Sequence, residues 1–151
     1  MILLLAVLIV VGFYGSKATW SGGPLSTAQN MRKILLCCRI YAVETGDFPY
    51  SDASSDDALL KMGYDSELGE VYFRFLKSKS GQEVDYWYLN KPKISELPDD
   101  TVLLVEKVPV LTDGILVGTK GGTVKLVKPV KVDTETDIKM LLGKTLSQLE
   151  K

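Results

Sequence analysis

The spacing of hydrophobic positions changes several times along this chain, and each change marks a new element. Met1 to Tyr14 carry no charge and are almost wholly apolar. From Ser26 onward the period becomes helical: Met31, Leu35, Cys38 and Ala42 recur at spacings of four, three and four, flanked by Ile34 and Tyr41. Arg32, Lys33 and Arg39 fall at other angles. Ser26 with Gln29 has the form of a capping box, and Gly46 supplies a stop, so an amphipathic helix is predicted from Ser26 to Thr45. Gly22, Gly23 and Pro24 form a breaker cluster that separates it from the apolar segment.

Beyond the helix, a polar loop from Asp52 to Asp57 leads into a short helix, Asp56 to Met62, which Gly63 can close. Runs of aromatic and β-branched residues then follow at Val71–Leu76, Val84–Leu89 and Val102–Val108, and predict antiparallel strands. Ile115–Gly118 and Thr123–Val127 flank Thr119–Gly122, where Gly121 and Gly122 can adopt the positive φ that a tight hairpin needs. These make a fourth and a fifth strand. From Asp133 the helical period returns, with Ile138, Leu141, Leu142, Thr145, Leu146 and Leu149 on one side. Asp133, Glu135 and Asp137 sit in its first turn, favourable to the dipole, and Gly143 weakens it by up to about 1 kcal/mol relative to Ala. The expected architecture is α+β: the Ser26–Thr45 helix packs its apolar stripe on an antiparallel sheet of four or five strands, with a C-terminal helix beside it. Met31, Leu35, Cys38, Phe73, Val84 and Leu104 are the expected core.

The bare apolar N-terminus ahead of such a domain points to membrane targeting. The predicted organisation is residues 1–18 as a transmembrane anchor or signal segment and residues 19–151 as an extracytoplasmic domain. As a helix, Ile2 to Tyr14 would be roughly 20 Å long against a hydrocarbon core of about 30 Å. Gly15, Ser16 and a snorkelling Lys17 extend it, so residues 2–16 would meet the lipid bilayer. The alternative is a secretory signal cleaved after Ala18, for which Ser16 and Ala18 are small residues at the inspected positions. No Lys or Arg stands between Met1 and the apolar run, which points to an upstream start or a removed leader that mass spectrometry of the native N-terminus decides. Either route places the domain outside the cytoplasm, at the inner membrane or released from it.

Composition narrows function mainly by exclusion. Eighteen basic and nineteen acidic residues are interspersed, so there is no basic stripe for a nucleic-acid backbone. The chain has no His, which removes the commonest general acid/base and the commonest zinc ligand. Cys37 and Cys38 are adjacent on a predicted helix, where their side chains diverge by about 100° and cannot close an ordinary disulfide. Both are expected to behave as small buried hydrophobes.

Candidate sites are few. Asp52, Asp56 and Asp57 offer oxygens to a cation, but lack the Asp-x-Asp-x-Asp-Gly spacing, and helix capping accounts for Asp56 and Asp57. Asp99-Asp100 and Asp113-Gly114 read as turns. Tyr72, Tyr86, Trp87 and Tyr88 form an aromatic group that fits cross-strand packing better than a carbohydrate or peptide platform. No nucleophile elbow, phosphate loop or Ser-Lys motif occurs, so no catalytic, cofactor or metal residues are assigned and no enzyme is expected. One exception would be acids such as Glu70, Glu83, Asp85 or Glu106 converging in a deep pocket.

Residues 27–49 contain Asn30, Met31 and Arg32, then an apolar helix, Tyr41-Ala42, an acidic-glycine turn at Gly46, and Phe48-Pro49. In that order they resemble the post-membrane helix of type II secretion pseudopilins and related prepilin-like proteins. The tail Asp113 to Val127, followed by an amphipathic helix, is similar to the closing hairpin of the same group. The two matches cover about a third of the chain. Position 5 is Leu5, where that family carries a glutamate, and no acid precedes Glu44; the hairpin reads Gly121-Gly122-Thr123-Val124 where the family usually has an acid and His. The resemblance implies a pilin-like α+β domain on an N-terminal membrane helix, with other protein subunits as partners and a link to type II secretion or pilus-like assembly, while the missing glutamate, acid and His point to a member outside the filament itself.

Overall fold

The computed structural model describes residues 24–64, 72, 76, 84–109, 113–128 and 134–150. The segment Met1 to Ala18 and the expected core residue Phe73 lie outside the described residues. Among the described residues no helix is long and apolar enough to cross a membrane.

Helix α1 spans Pro24–Thr45 and α2 spans Ser55–Tyr64. The α1 helix begins two residues earlier than its Ser26–Gln29 pattern predicts. A proline fits the first turn, because its φ is already helical and its missing N–H has no partner there anyway. Gly46, at φ +95°, closes the helix and donates its N–H to the Ala42 carbonyl at 2.9 Å. The α2 helix runs through Gly63 to Tyr64, so this glycine is buried in the last turn instead of ending the helix.

Strands β1 (Tyr86–Tyr88), β2 (Val102–Glu106), β3 (Ile115–Thr119) and β4 (Val124–Val127) follow, forming an antiparallel sheet in the order β1-β2-β3-β4. Between β1 and β2 lies a 3₁₀ turn at Ile94–Glu96. Each strand pairs with its neighbour in sequence, across four residues between β3 and β4 and across thirteen between β1 and β2. The β3–β4 hairpin turns at the expected place, but of the two glycines Gly122 alone takes a positive φ, +94°, with its N–H bonded to the Thr119 carbonyl. Among the described residues the sheet is four-stranded.

The sheet is covered on both faces, so β2 and β3 are buried along their whole length. On one side Met31, Ile34, Leu35 and Cys38 of α1 and Leu59 and Met62 of α2 pack with Tyr86, Tyr88, Leu104 and Leu116. On the other, Val102, Val105, Ile115 and Val117 meet Ile138 and Leu141, with Leu146 and Leu149 partly buried against them. Strand alternation breaks at Leu103, where the β2–β3 register shifts, and Leu103 and Leu104 both join the α1-facing cluster. Of the expected core, Met31, Leu35, Cys38, Val84 and Leu104 are fully buried.

Two elements differ from expectation. Tyr72 and Leu76, placed in a strand by sequence, are helical. A strand would put Arg74 on the same face as Tyr72 and Leu76, whereas a helix sets residues four apart on one face; both side chains are fully buried in the α1-facing cluster. The single C-terminal helix is instead two short ones, α3 (Glu135–Lys139) and α4 (Leu146–Leu149). Gly143 adopts φ +80° between them, and the Gly143 N–H and Lys144 carbonyl hydrogen-bond the backbone of Val102. Pairing this segment with β2 satisfies backbone groups that a continuous helix would leave open at the sheet. Capping boxes at Thr134–Asp137 and Thr145–Gln148 start the two pieces. The β2 strand also stops at Glu106, leaving Val108 65% exposed.

Candidate functional site

Strand alternation splits the aromatic group. Tyr86 and Tyr88 point to the α1 face, where Tyr72 joins them, while Trp87 lies on the opposite face. Burial raises the Tyr72, Tyr86 and Tyr88 hydroxyls above the ordinary tyrosine range. The Asn30 side chain hydrogen-bonds Tyr86, and the Tyr88 hydroxyl donates to the Pro49 carbonyl at 2.9 Å. All three rings are core; Tyr86 and Tyr88 are so on β1, as expected of cross-strand packing, whereas Tyr72 is helical, and of the four aromatics Trp87 alone is placed to meet a surface.

Trp87 lines a cleft of about 390 Å³ together with Ser54, Ser55 and Asp56 at the start of α2, and Lys139 and Leu142 near α3. Two ammonium groups stand over its indole, Lys139 Nζ at 3.9 Å and Lys107 Nζ at 4.4 Å from the ring centroid. The polar groups around the cleft are matched to one another. Lys107 Nζ pairs with Asp56 at 2.9 Å, and Lys139 pairs with Glu135 one turn away. Ser54 Oγ accepts from the Asp57 amide and donates to its carboxylate, capping the start of α2. Ser55 Oγ lies 3.0 Å from both the Tyr88 N–H and the Tyr88 carbonyl, tying α2 to β1. Trp87 Nε1 is buried without a partner among the described residues.

The structure therefore separates the acids considered for a cation. Asp56 binds Lys107, Asp57 accepts the Ser54 hydroxyl at 2.9 Å, and Asp52 accepts from the Tyr50 hydroxyl at 2.6 Å. Among the described residues no three His, Cys, Asp or Glu side chains gather at metal-binding distance. Of the acids considered for catalysis, Glu70 and Glu83 lie outside the described residues. Glu106 is buried on the α1-facing side and accepts the Leu116 N–H at 2.8 Å, away from the Trp87 cleft. Asp99 pairs with Lys120, as suits its turn.

Asp47 makes a contact network that sequence reasoning missed. Its carboxylate accepts the amides of Phe48 at 2.8 Å, Ser95 at 2.9 Å and Lys93 at 2.5 Å. Desolvation pushes its carboxyl up, but the Ser95, Phe48 and Lys93 amides and the Ser95 hydroxyl outweigh that, and the net displacement is downward. Lys93 holds a left-handed φ of 60° at this clamp. The only available signal was the Asp47-Phe48-Pro49 turn; nothing in the sequence pointed to residues 93–95 as its partner. Cys37 and Cys38 are free and buried, and burial raises the Cys37 thiol to about 11 and Cys38 well above its ordinary value.

No family model, no curated protein and no solved structure matches this chain.

Proposed function

We propose that the protein is a membrane-anchored, extracytoplasmic pseudopilin-like domain that works by contacts with other protein subunits and not by catalysis. The observation that carries this reading is the order of two features along the chain, set apart by the Gly22-Gly23-Pro24 breaker cluster. Fourteen uncharged residues stand at the N-terminus, and the helix that follows them, α1, lays Met31, Ile34, Leu35 and Cys38 on an antiparallel sheet. A domain hung on the helix that leaves a membrane needs that helix locked into its core, because the anchor then positions the whole body. The Asn30-Met31-Arg32 and Phe48-Pro49 resemblance supports the same reading, and the clamp from Asp47 to residues 93–95 holds the Phe48-Pro49 turn against the body of the domain.

Carbonate extraction of membranes from cells expressing the full chain tests it. Retention in the pellet is expected. A mature chain that begins at Thr19 and is recovered in the soluble fraction overturns the anchor and favours a released binding domain.

A further inference from the structure

The Trp87 cleft, at about 390 Å³, falls within the ~300–1,000 Å³ range of small-ligand sites. Its charges are matched to one another. Lys107 Nζ is held by Asp56 and Lys139 Nζ by Glu135, so a carboxylate or an ammonium entering the cleft must break an ion pair to find a partner. An uncharged occupant breaks none. Trp87 Nε1 is left over: it is buried without an acceptor among the described residues, and an indole N–H can only donate. A buried donor without a partner is costly, and native proteins carry few of them. Trp87 and Leu142 supply apolar wall. The complement of this set is an apolar group that carries a neutral acceptor oxygen. A sugar ring would need an open indole face, and two ammonium groups already stand over this one.

We propose that the cleft takes an uncharged apolar side chain of a partner protein together with the backbone carbonyl beside it, which accepts from Trp87 Nε1. The occupant is a protein because apolar surface continues past the cleft: Val108 and Met140, next in the chain to Lys107 and Lys139, are 65% and 56% exposed. Lys139 is the wall that gives way. Its side chain is 45% exposed and held by an ion pair one turn away and by its contact with the indole, both weak at an exposed site. Swinging off the ring, it uncovers the buried N–H. Lys107, whose side chain is only 9% exposed, stays in place. The inference rests on the reading of the protein as one that works by contacts with other subunits, and gives that reading a site.

Proton–nitrogen correlation spectra of the full chain in mild detergent test this, since Trp20 and Trp87 are its only indoles and Trp20→Phe assigns them. The probe is N-acetyl-L-leucinamide, which is neutral, apolar and carries amide carbonyls. It should move the Trp87 indole proton downfield and saturably, with the millimolar Kd of so small a ligand, and leave Trp20 in place. N-acetyl-L-leucine, the same body with a carboxylate, should bind about tenfold more weakly, because it must break an ion pair. Lys139→Ala removes the wall and should tighten the amide about threefold, whereas a site selected by charge would weaken. Leu142→Asn should abolish the shift while far-UV circular dichroism stays unchanged. No saturable shift, tighter binding of the carboxylate, or a signal that answers glucose and not the amide overturns the inference. Carbonate extraction separates it from the anchored reading. A pelleted chain whose Trp87 signal ignores the amide loses the cleft and keeps the anchor. A chain in the supernatant whose signal moves loses the anchor and keeps the cleft.

Discussion

Gly118 sits where α1 meets the sheet, and replacing it with alanine tests that junction directly. Its φ is not left-handed, so alanine can adopt the backbone; what forbids it is space. A Cβ at this position would lie 2.6 Å from Leu35 Cδ1 and 3.4 Å from Leu104 Cβ, and both leucines are fully buried. Forcing a methyl into such packing costs about 1–3 kcal/mol. Losing the glycine from a strand returns about 0.5–1 kcal/mol. Gly118→Ala alone should therefore destabilise by up to about 2.5 kcal/mol, the net of those two effects. Leu35→Ala alone should cost about 2–5 kcal/mol for the cavity it leaves. In the Leu35→Ala background the obstructing methyl is gone, so adding Gly118→Ala should change sign and stabilise by about 0.5–1 kcal/mol. The coupling between the two sites is then about 1–3 kcal/mol, measurable by urea unfolding of the full chain in mild detergent, followed by far-UV circular dichroism. If the two changes add to within about 0.5 kcal/mol, Leu35 does not lie on Gly118 and the docking of α1 on β3 is wrong.

Two further outcomes follow from buried or clamped groups. Asp47→Asn should lower stability by about 1–2 kcal/mol, because the bonds of the Phe48 and Ser95 amides to Oδ1 become neutral ones and the Lys93 amide meets an NH2 donor in place of Oδ2. Since the folded carboxyl of Asp47 is displaced downward, its stabilisation is present above the unfolded carboxylate range and is lost as pH falls through the folded value. Melting temperature followed from pH 7 to pH 3 should thus fall less steeply in Asp47→Asn than in the wild type, and parallel curves would refute the clamp. Cys37, raised to about 11, and Cys38, raised well above its ordinary value, should resist maleimide at pH 7.5 in the native protein and react in urea; rapid native labelling counted by intact mass would contradict their burial.

What was legible in the sequence is what period and backbone chemistry determine locally. The α1 stripe, the α2 turn, the strands around Trp87, Leu104 and Val117, and the Gly121-Gly122 hairpin all carry their own signal, because apolar spacing and a positive φ act within a few residues. The aromatic group at residues 86–88 was rightly expected to be cross-strand packing for Tyr86 and Tyr88, since alternation alone sets which face a strand residue takes. Tertiary structure decided the rest. Tyr72 and Leu76 are helical because a buried face four residues apart outweighs their β propensity, and propensity is the weaker influence once burial is at stake. The C-terminal helix breaks at Gly143 because the Val102 backbone, 41 residues away in sequence and next to it in space, offers it hydrogen bonds. Asp47 becomes a clamp for the same reason: a short acid after a helix is only a turn residue until the fold brings the amides of Lys93 and Ser95 to its carboxylate.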